Sequence, residues 1–103
     1  MTLTDMLSRL RRRLSLDGES QDELLQDLLA DANALMLTYM NRTELPEALC
    51  GVQCQLAAVL YNRLGMEGER TRDEGGVSIT VDALPEDIRA QLMPYRLLRA
   101  VTL

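Results

Sequence analysis

Histidine is absent from this sequence of 103 residues, so the side chain that most often serves as general base or metal ligand is missing. The only cysteines, Cys50 and Cys54, cannot complete a structural zinc site by themselves. Their spacing within one helix disfavours a disulfide between them, so we expect two buried free thiols. The glycine-rich stretch 65–76 lacks the Gly-Lys-Ser/Thr ending of a phosphate-binding loop. We therefore predict that the chain is not an enzyme and uses no cofactor and no metal.

Phenylalanine and tryptophan are also absent, and the hydrophobic residues, 47% of the chain, are mainly Leu, Ala, Met and Val. An aliphatic composition suits packed helices better than a β-sandwich, which favours aromatic and β-branched side chains. The length allows one domain. We predict that residues 1–103 form a single, mostly α domain. This domain is predicted to be a small bundle of about four helices around a central buried helix, with one short β-strand or hairpin.

Lysine is absent too, and all 11 basic residues are arginine, which is favoured at protein interfaces where lysine is depleted. The net charge of −5 argues against nucleic-acid binding by the whole surface, but the charge is unevenly distributed. Residues 1–16 hold four arginines and one aspartate, whereas residues 17–40 hold six acids and no base. No apolar run approaches the ~20 residues of a membrane span, so we expect no membrane contact and a reducing, cytoplasmic environment.

The first predicted helix begins with Thr4 as its N-cap and has Asp5 in its first turn. Leucines at positions 3, 7, 10 and 14 share one face, and Arg9, Arg12 and Arg13 share another. This arginine cluster can contact an acidic protein surface or nucleic acid. Alternatively, it complements the dipole at the helix C-terminus.

A second helix is predicted from the capping box that Ser20 and Glu23 can form, and it runs to about Met40. Its apolar stripe is continuous, and its opposite side presents Asp27 and Asp31. Acids on such a face are usually solvated rather than catalytic. Together with the arginine cluster, these two acids are candidate contacts between subunits or with a partner.

Pro46 and Glu47 suit the first turn of a third helix, and Gly65 is placed to cap its end. Apolar side chains cover most of this helix and leave only a narrow polar strip, formed by Gly51, Gln55 and Asn62. A helix that is apolar over so wide an arc is buried against several neighbours. We therefore predict that the third helix is the central one.

Gln53 lies inside that apolar arc, and two interpretations remain open. Buried amides are normally hydrogen-bonded, so Gln53 can be a core residue that bonds a backbone group. In the other interpretation this part of the arc faces another subunit, which makes Gln53 an interface contact.

Residues 66–76 form a predicted polar loop, and residues 77–81 alternate as expected of a strand. A strand needs a pairing partner. The partner is either residues 70–74, through a hairpin turn at Gly75-Gly76, or a neighbouring chain. The candidate contacts with another subunit or with a partner in this region are Arg70, Arg72, Glu74, Val77 and Ile79.

A fourth helix is predicted to begin at Leu84-Pro85-Glu86 and to end at or before Met93, because Pro94 disfavours its continuation. Residues 95–101 add a last helical turn or an extended tail.

Several short segments occur in this order: Tyr39-Met40-Asn41-Arg42-Thr43, Leu45-Pro46, Leu60-Tyr61-Asn62-Arg63-Leu64-Gly65, Glu67-Gly68-Glu69, Glu74-Gly75-Gly76-Val77-Ser78, Leu84-Pro85 and Pro94-Tyr95-Arg96. In combination, over about residues 20–100, they resemble the head-tail connector (adaptor) proteins of siphovirus-type tailed phages and prophages. Each segment alone is a weak signal.

The resemblance implies a structural subunit of the virion neck, assembled in the host cytoplasm. Copies would form a ring under the portal protein, matching its twelvefold symmetry, and would extend the channel through which packaged DNA passes without sequence-specific binding. The ring would also provide a platform for the next neck or tail-completion protein. The opposite charges of the first two helices can meet across subunits of such a ring, and the loop 66–76 is a candidate portal or lumen contact.

The alternative is a small helical nucleic-acid-binding or regulatory protein that uses the arginine cluster at 9–13. Such a protein would bind DNA or RNA with strong salt dependence. No aromatic residues are interleaved with these arginines to support base stacking.

Overall fold

The computed structural model describes the backbone of residues 1–67 and 84–97, and every regular element within these ranges is helical. Their helices are α1 (Leu3–Leu14), α2 (Asp22–Met40), α3 (Cys50–Glu67) and α4 (Glu86–Leu92). Short 3-10 turns at Glu47–Leu49 and Met93–Tyr95 precede α3 and follow α4. The predicted mostly α fold with about four helices is confirmed. The predicted strand at 77–81 and its hairpin lie outside the described residues.

Helix α1 begins two residues earlier than predicted, because Thr2 rather than Thr4 is its N-cap. The Thr2 hydroxyl accepts a hydrogen bond from the backbone N–H of Asp5 at 3.1 Å. The Asp5 carboxylate in turn accepts one from the N–H of Thr2 at 3.4 Å. Of the two threonines, only Thr2 has an acidic residue three positions later, as a capping box requires.

The start of α2 also differs from the prediction, since the capping box of Ser20 and Glu23 does not form. The N-cap is Gln21, whose backbone is not extended and whose side chain makes no capping bond. Instead, its amide oxygen accepts a hydrogen bond from the hydroxyl of Tyr61 at 3.1 Å. The Gln21 side chain therefore connects the start of α2 to α3 and does not cap its own helix. The end of α2 at Met40 is as predicted.

Helix α3 contacts α1, α2 and α4, which confirms its central position. Helical structure continues past Gly65 to Glu67, so the prediction that Gly65 caps this helix is wrong. Glycine permits a left-handed cap but does not impose one, and here the chain continues in the helical conformation. Helix α4 starts and ends as predicted, after Pro85 and before Met93.

The core lies between these four helices and is almost entirely aliphatic. Each fully buried Leu, Ile or Met contributes roughly 1.5–3 kcal/mol relative to its exposed state. The largest side chains with almost no exposure come from every helix: Leu10, Leu25, Leu29, Met36, Met40, Leu56, Ile88 and Leu92.

Gln53 is the one buried polar residue in the described part of the chain, with 7% of its surface exposed. Its amide nitrogen donates a hydrogen bond of 2.8 Å to the backbone carbonyl of Leu29 in α2. This geometry supports the interpretation of Gln53 as a satisfied core residue, since its side chain is already bonded within the chain.

We predict that Gln53→Met lowers the free energy of unfolding by about 1 kcal/mol, because a near-isosteric side chain removes one buried hydrogen bond. Urea denaturation followed by circular dichroism measures the change. Gln26→Met on the exposed side of α2 is the control and should change stability by less than about 0.5 kcal/mol. Equal effects of the two substitutions would contradict a stabilising role for the Gln53 bond.

Candidate assembly surfaces

The arginines of α1 point in different directions, because successive residues turn by about 100° around a helix. Arg11 faces α2, where its Nε lies 3.2 Å from a carboxylate oxygen of Asp22. Both side chains are largely buried, so this ion pair holds α1 against the start of α2. Arg9, Arg12 and Arg13 are exposed, and no ion pair within the described residues uses them.

Position in the last turn of α1 also gives Arg12 and Arg13 a favourable interaction with the helix dipole. That interaction leaves their guanidinium groups accessible to solvent. The dipole and contact interpretations of the arginine cluster are therefore compatible.

Arg9 and Arg13 lie along the side of α1 that borders α3. The guanidinium of Arg9 passes over Gly51, where an added Cβ would lie only 3.2 Å from Nη1. Arg13 lines an open groove between α1, α3 and α4. Arg12 instead borders, with Arg9 and Ser8, a shallow depression on the outer side of α1.

We call the opening between α1, α3 and α4 the α3 groove. Its base follows the polar strip of α3, and the lining residues used below are Arg13, Gln55, Val59, Asn62, Asp87 and Gln91. The amide of Gln91 donates to the Gln55 side-chain oxygen at 3.0 Å and so connects α4 to α3. Arg13 and Asp87 stand on opposite walls, which gives the groove a basic side along α1 and an acidic side along α4.

The exposed side of α2 carries acidic residues and two alanines, together with Leu24 and Gln26 nearer the start of the helix. Asp27 and Asp31 are exposed one turn apart, and Ala30 and Ala34 are exposed beside them. We call these four residues the outer face of α2. Partial loss of hydration, and secondarily the charge of Asp27, raise the pKa of Asp31 above its ordinary value of 3.8. No cation among the described residues pairs with either acid.

The two cysteines are free, as predicted, with Cys54 buried and Cys50 half-buried. Burial raises the pKa of the Cys54 thiol, although the nearby charges of Arg9 and Arg13 act in the opposite direction. Within residues 1–67 and 84–97 no group of His, Cys, Asp and Glu side chains is arranged to hold a metal ion. None of the helices in these ranges is long and apolar enough to cross a membrane.

The remaining predicted contacts fall in the part of the sequence between α3 and α4. Arg70, Arg72, Glu74, Val77 and Ile79 all lie outside the described residues. The structure therefore places only the candidates on the first three helices, and it puts them on separate surfaces, with Gln53 in the core.

A cluster of polar contacts that sequence reasoning missed joins the chain after α4 to the end of α2. Arg42 Nε donates to the Tyr95 carbonyl at 2.7 Å, and Asn41 Nδ2 donates to the Leu97 carbonyl at 2.9 Å. The backbone N–H of Leu97 donates to the carbonyl of Met40 at 2.9 Å. These bonds hold an otherwise irregular segment against a helix end.

Aromatic and sulfur contacts complete this cluster, which we call the C-terminal clamp (residues 39–42 and 93–97). The guanidinium carbon of Arg96 lies 4.8 Å from the centroid of the Tyr39 ring, a cation–π arrangement. The Tyr39 hydroxyl lies 3.7 Å from the sulfur of Met93 and donates to it. Two segments singled out in the sequence, residues 39–43 and 94–96, thus meet in one structural site.

The sequence matches the family of phage gp6-like head-tail connector proteins over residues 4–96. This chain therefore belongs to that family, as its short segments had indicated. Comparison with curated proteins and with solved structures found no match. Family membership supports a structural role in the phage neck.

We predict that Asn41→Ala lowers the free energy of unfolding by about 1–2 kcal/mol, because Asn41 has a left-handed backbone (φ +59°) as well as its bond to Leu97. Asn41→Gly loses the bond but tolerates this φ, so its cost should be clearly smaller. Chemical denaturation of both variants measures the difference. Equal losses would show that backbone conformation at this helix end contributes nothing.

A second prediction concerns Asp31, whose raised pKa means that its charged form is disfavoured in the folded state. Asp31→Asn should therefore raise the free energy of unfolding at neutral pH. The expected gain is about 0.2–0.5 kcal/mol, the usual cost of an exposed pair of like charges one turn apart on a helix. The gain should disappear as the pH falls through the raised pKa, because Asp31 is then protonated in the folded state. Denaturation across pH 3–7 tests this, with Glu44→Gln in the exposed loop after α2 as control.

Proposed function

We propose that this protein is a ring-forming adaptor of the phage neck. Copies assemble under the portal protein with its twelvefold symmetry, extend the DNA channel, and join the head to the next neck or tail-completion protein. The observation that carries this proposal is the family match, which extends over residues 4–96 of the 103. In this role packaged DNA passes through the lumen without sequence-specific contacts, and the protein's work is to connect other proteins.

Ring closure requires two different and complementary faces on each subunit. The α1 arginines and the outer face of α2 supply such a pair of opposite charge. Inside the chain, only Arg11 and Asp22 join these two helices by an ion pair among the described residues. The other charges of both helices remain accessible, which supports a contact between subunits.

The proposed portal contact is the segment between α3 and α4, including Arg70, Arg72 and Glu74. Its support comes from the sequence, where the nine residues 68–76, after the end of α3, are all polar, charged or glycine. Binding residues are found disproportionately on such connecting segments.

The test is sedimentation velocity of the protein with and without the portal protein from the same genome. We expect co-sedimentation near one subunit per portal chain. A variant with residues 68–76 replaced by a shorter Gly-Ser linker should lose binding to the portal while keeping its helical circular dichroism.

Absence of any interaction with the portal across protein and salt concentrations would contradict the adaptor role. Strongly salt-dependent binding to DNA or RNA, lost when the three exposed α1 arginines are replaced, would instead support a nucleic-acid-binding function. Intact portal docking by the linker variant would overturn only the assignment of the segment between α3 and α4.

A further inference from the structure

The α3 groove and the outer face of α2 carry charges of opposite sign along α1 and α2. Gln55, half-buried, and Asn62, exposed, line the groove from α3. The outer face of α2 presents Ala30 and Ala34, which have short side chains. A helix with small residues at its contact face can approach another helix closely.

The basic residues of α1 and the acidic residues of α2 have the same spacing along their helices. Arg9 and Arg13 are four residues apart on α1, and Asp27 and Asp31 are four residues apart on α2. Side chains at this spacing lie about 5–6 Å apart on one side of a helix. Two ion pairs can therefore form at the same time when α2 lies along α1.

From these features we infer that the outer face of α2 of one copy packs into the α3 groove of the next copy. In this arrangement Asp27 and Asp31 lie against Arg9 and Arg13, and Ala30 and Ala34 face the polar strip of α3. The inference rests on the proposed ring, for which it names the two contacting surfaces. The contact is heterologous, since each copy offers its groove to one neighbour and its α2 to the other.

Asp87 fixes how the incoming helix is oriented. It lies on the α4 wall of the groove, opposite Arg13, so acidic side chains on that side would be repelled. The acidic edge of α2 must therefore face α1. The neutral edge, which carries the alanines, then lies toward α4.

Arg12 provides a matched control, because it belongs to the same helix and carries the same charge but points away from α3. Arg13 lines the groove, and Arg9, although it also borders the outer depression, extends its guanidinium over Gly51 of α3. Of the three exposed arginines, Arg9 and Arg13 should determine subunit contact. Arg12→Glu should leave it nearly unchanged.

The experiment uses two charge-reversed proteins, the double variant Arg9→Glu/Arg13→Glu and the double variant Asp27→Arg/Asp31→Arg. Each is studied alone and as an equimolar mixture, by sedimentation velocity with the portal protein present. Circular dichroism melting first establishes that each variant folds. Each variant alone places like charges at the contact, so we expect its self-association to weaken by about tenfold or more.

The mixture is the decisive measurement. The acidic groove of the first variant fits the basic α2 of the second, and the unchanged surfaces still fit each other, so mixed rings should form. Failure of the folded variants to assemble even when mixed would overturn the inference, as would full assembly of each variant alone. Failure of the wild-type protein to assemble with or without the portal would instead count against the proposed ring itself.

Discussion

Burial of α3 on several sides is the constraint on which the rest of the structure depends. Its apolar arc is too wide to be covered by one neighbour, so α1, α2 and α4 must all pack against it. The one buried amide in that arc, Gln53, is accommodated only because the Leu29 carbonyl is within hydrogen-bond distance. Once the three neighbours are in place, Gln55 and Asn62 of the polar strip, together with Val59, line a groove between α1, α3 and α4.

The C-terminal clamp follows from the same constraint. Helix α4 covers α3 with only seven residues, which is too short to be stable by itself. The bonds from Asn41 and Arg42 to the chain after α4 hold it in position against the end of α2. This gives a physical reason for two of the segments that resemble the connector family. Their described contacts maintain the fold, while the charged surfaces remain free for partners.

Charge has two roles in this molecule. Arg11 and Asp22 join α1 to α2 within the chain, whereas the arginines beside Arg11 and the acids further along α2 remain at the surface. Partial loss of hydration, and secondarily the charge of Asp27, raise the pKa of Asp31, so its charged form is mildly unfavourable in the isolated subunit. A subunit can retain such a feature when a neighbour supplies the compensating positive charge.

The sequence by itself determined the helical class, the central position of α3, the end of α2, both ends of α4 and the family, because apolar periodicity and proline positions are local signals. It misplaced the caps of α1 and α2 and the end of α3, where several local solutions were possible. Only the tertiary structure decided that Gln53 bonds Leu29 and that residues 39–42 meet residues 93–97. It also decided that Arg11 is paired, while Arg13 lines the groove and Arg9 lies over Gly51. Arg42 and Tyr95 are 53 residues apart, and the Arg42 side chain bonds the backbone carbonyl of Tyr95. Because every residue type has that carbonyl, the sequence gives no sign of this contact.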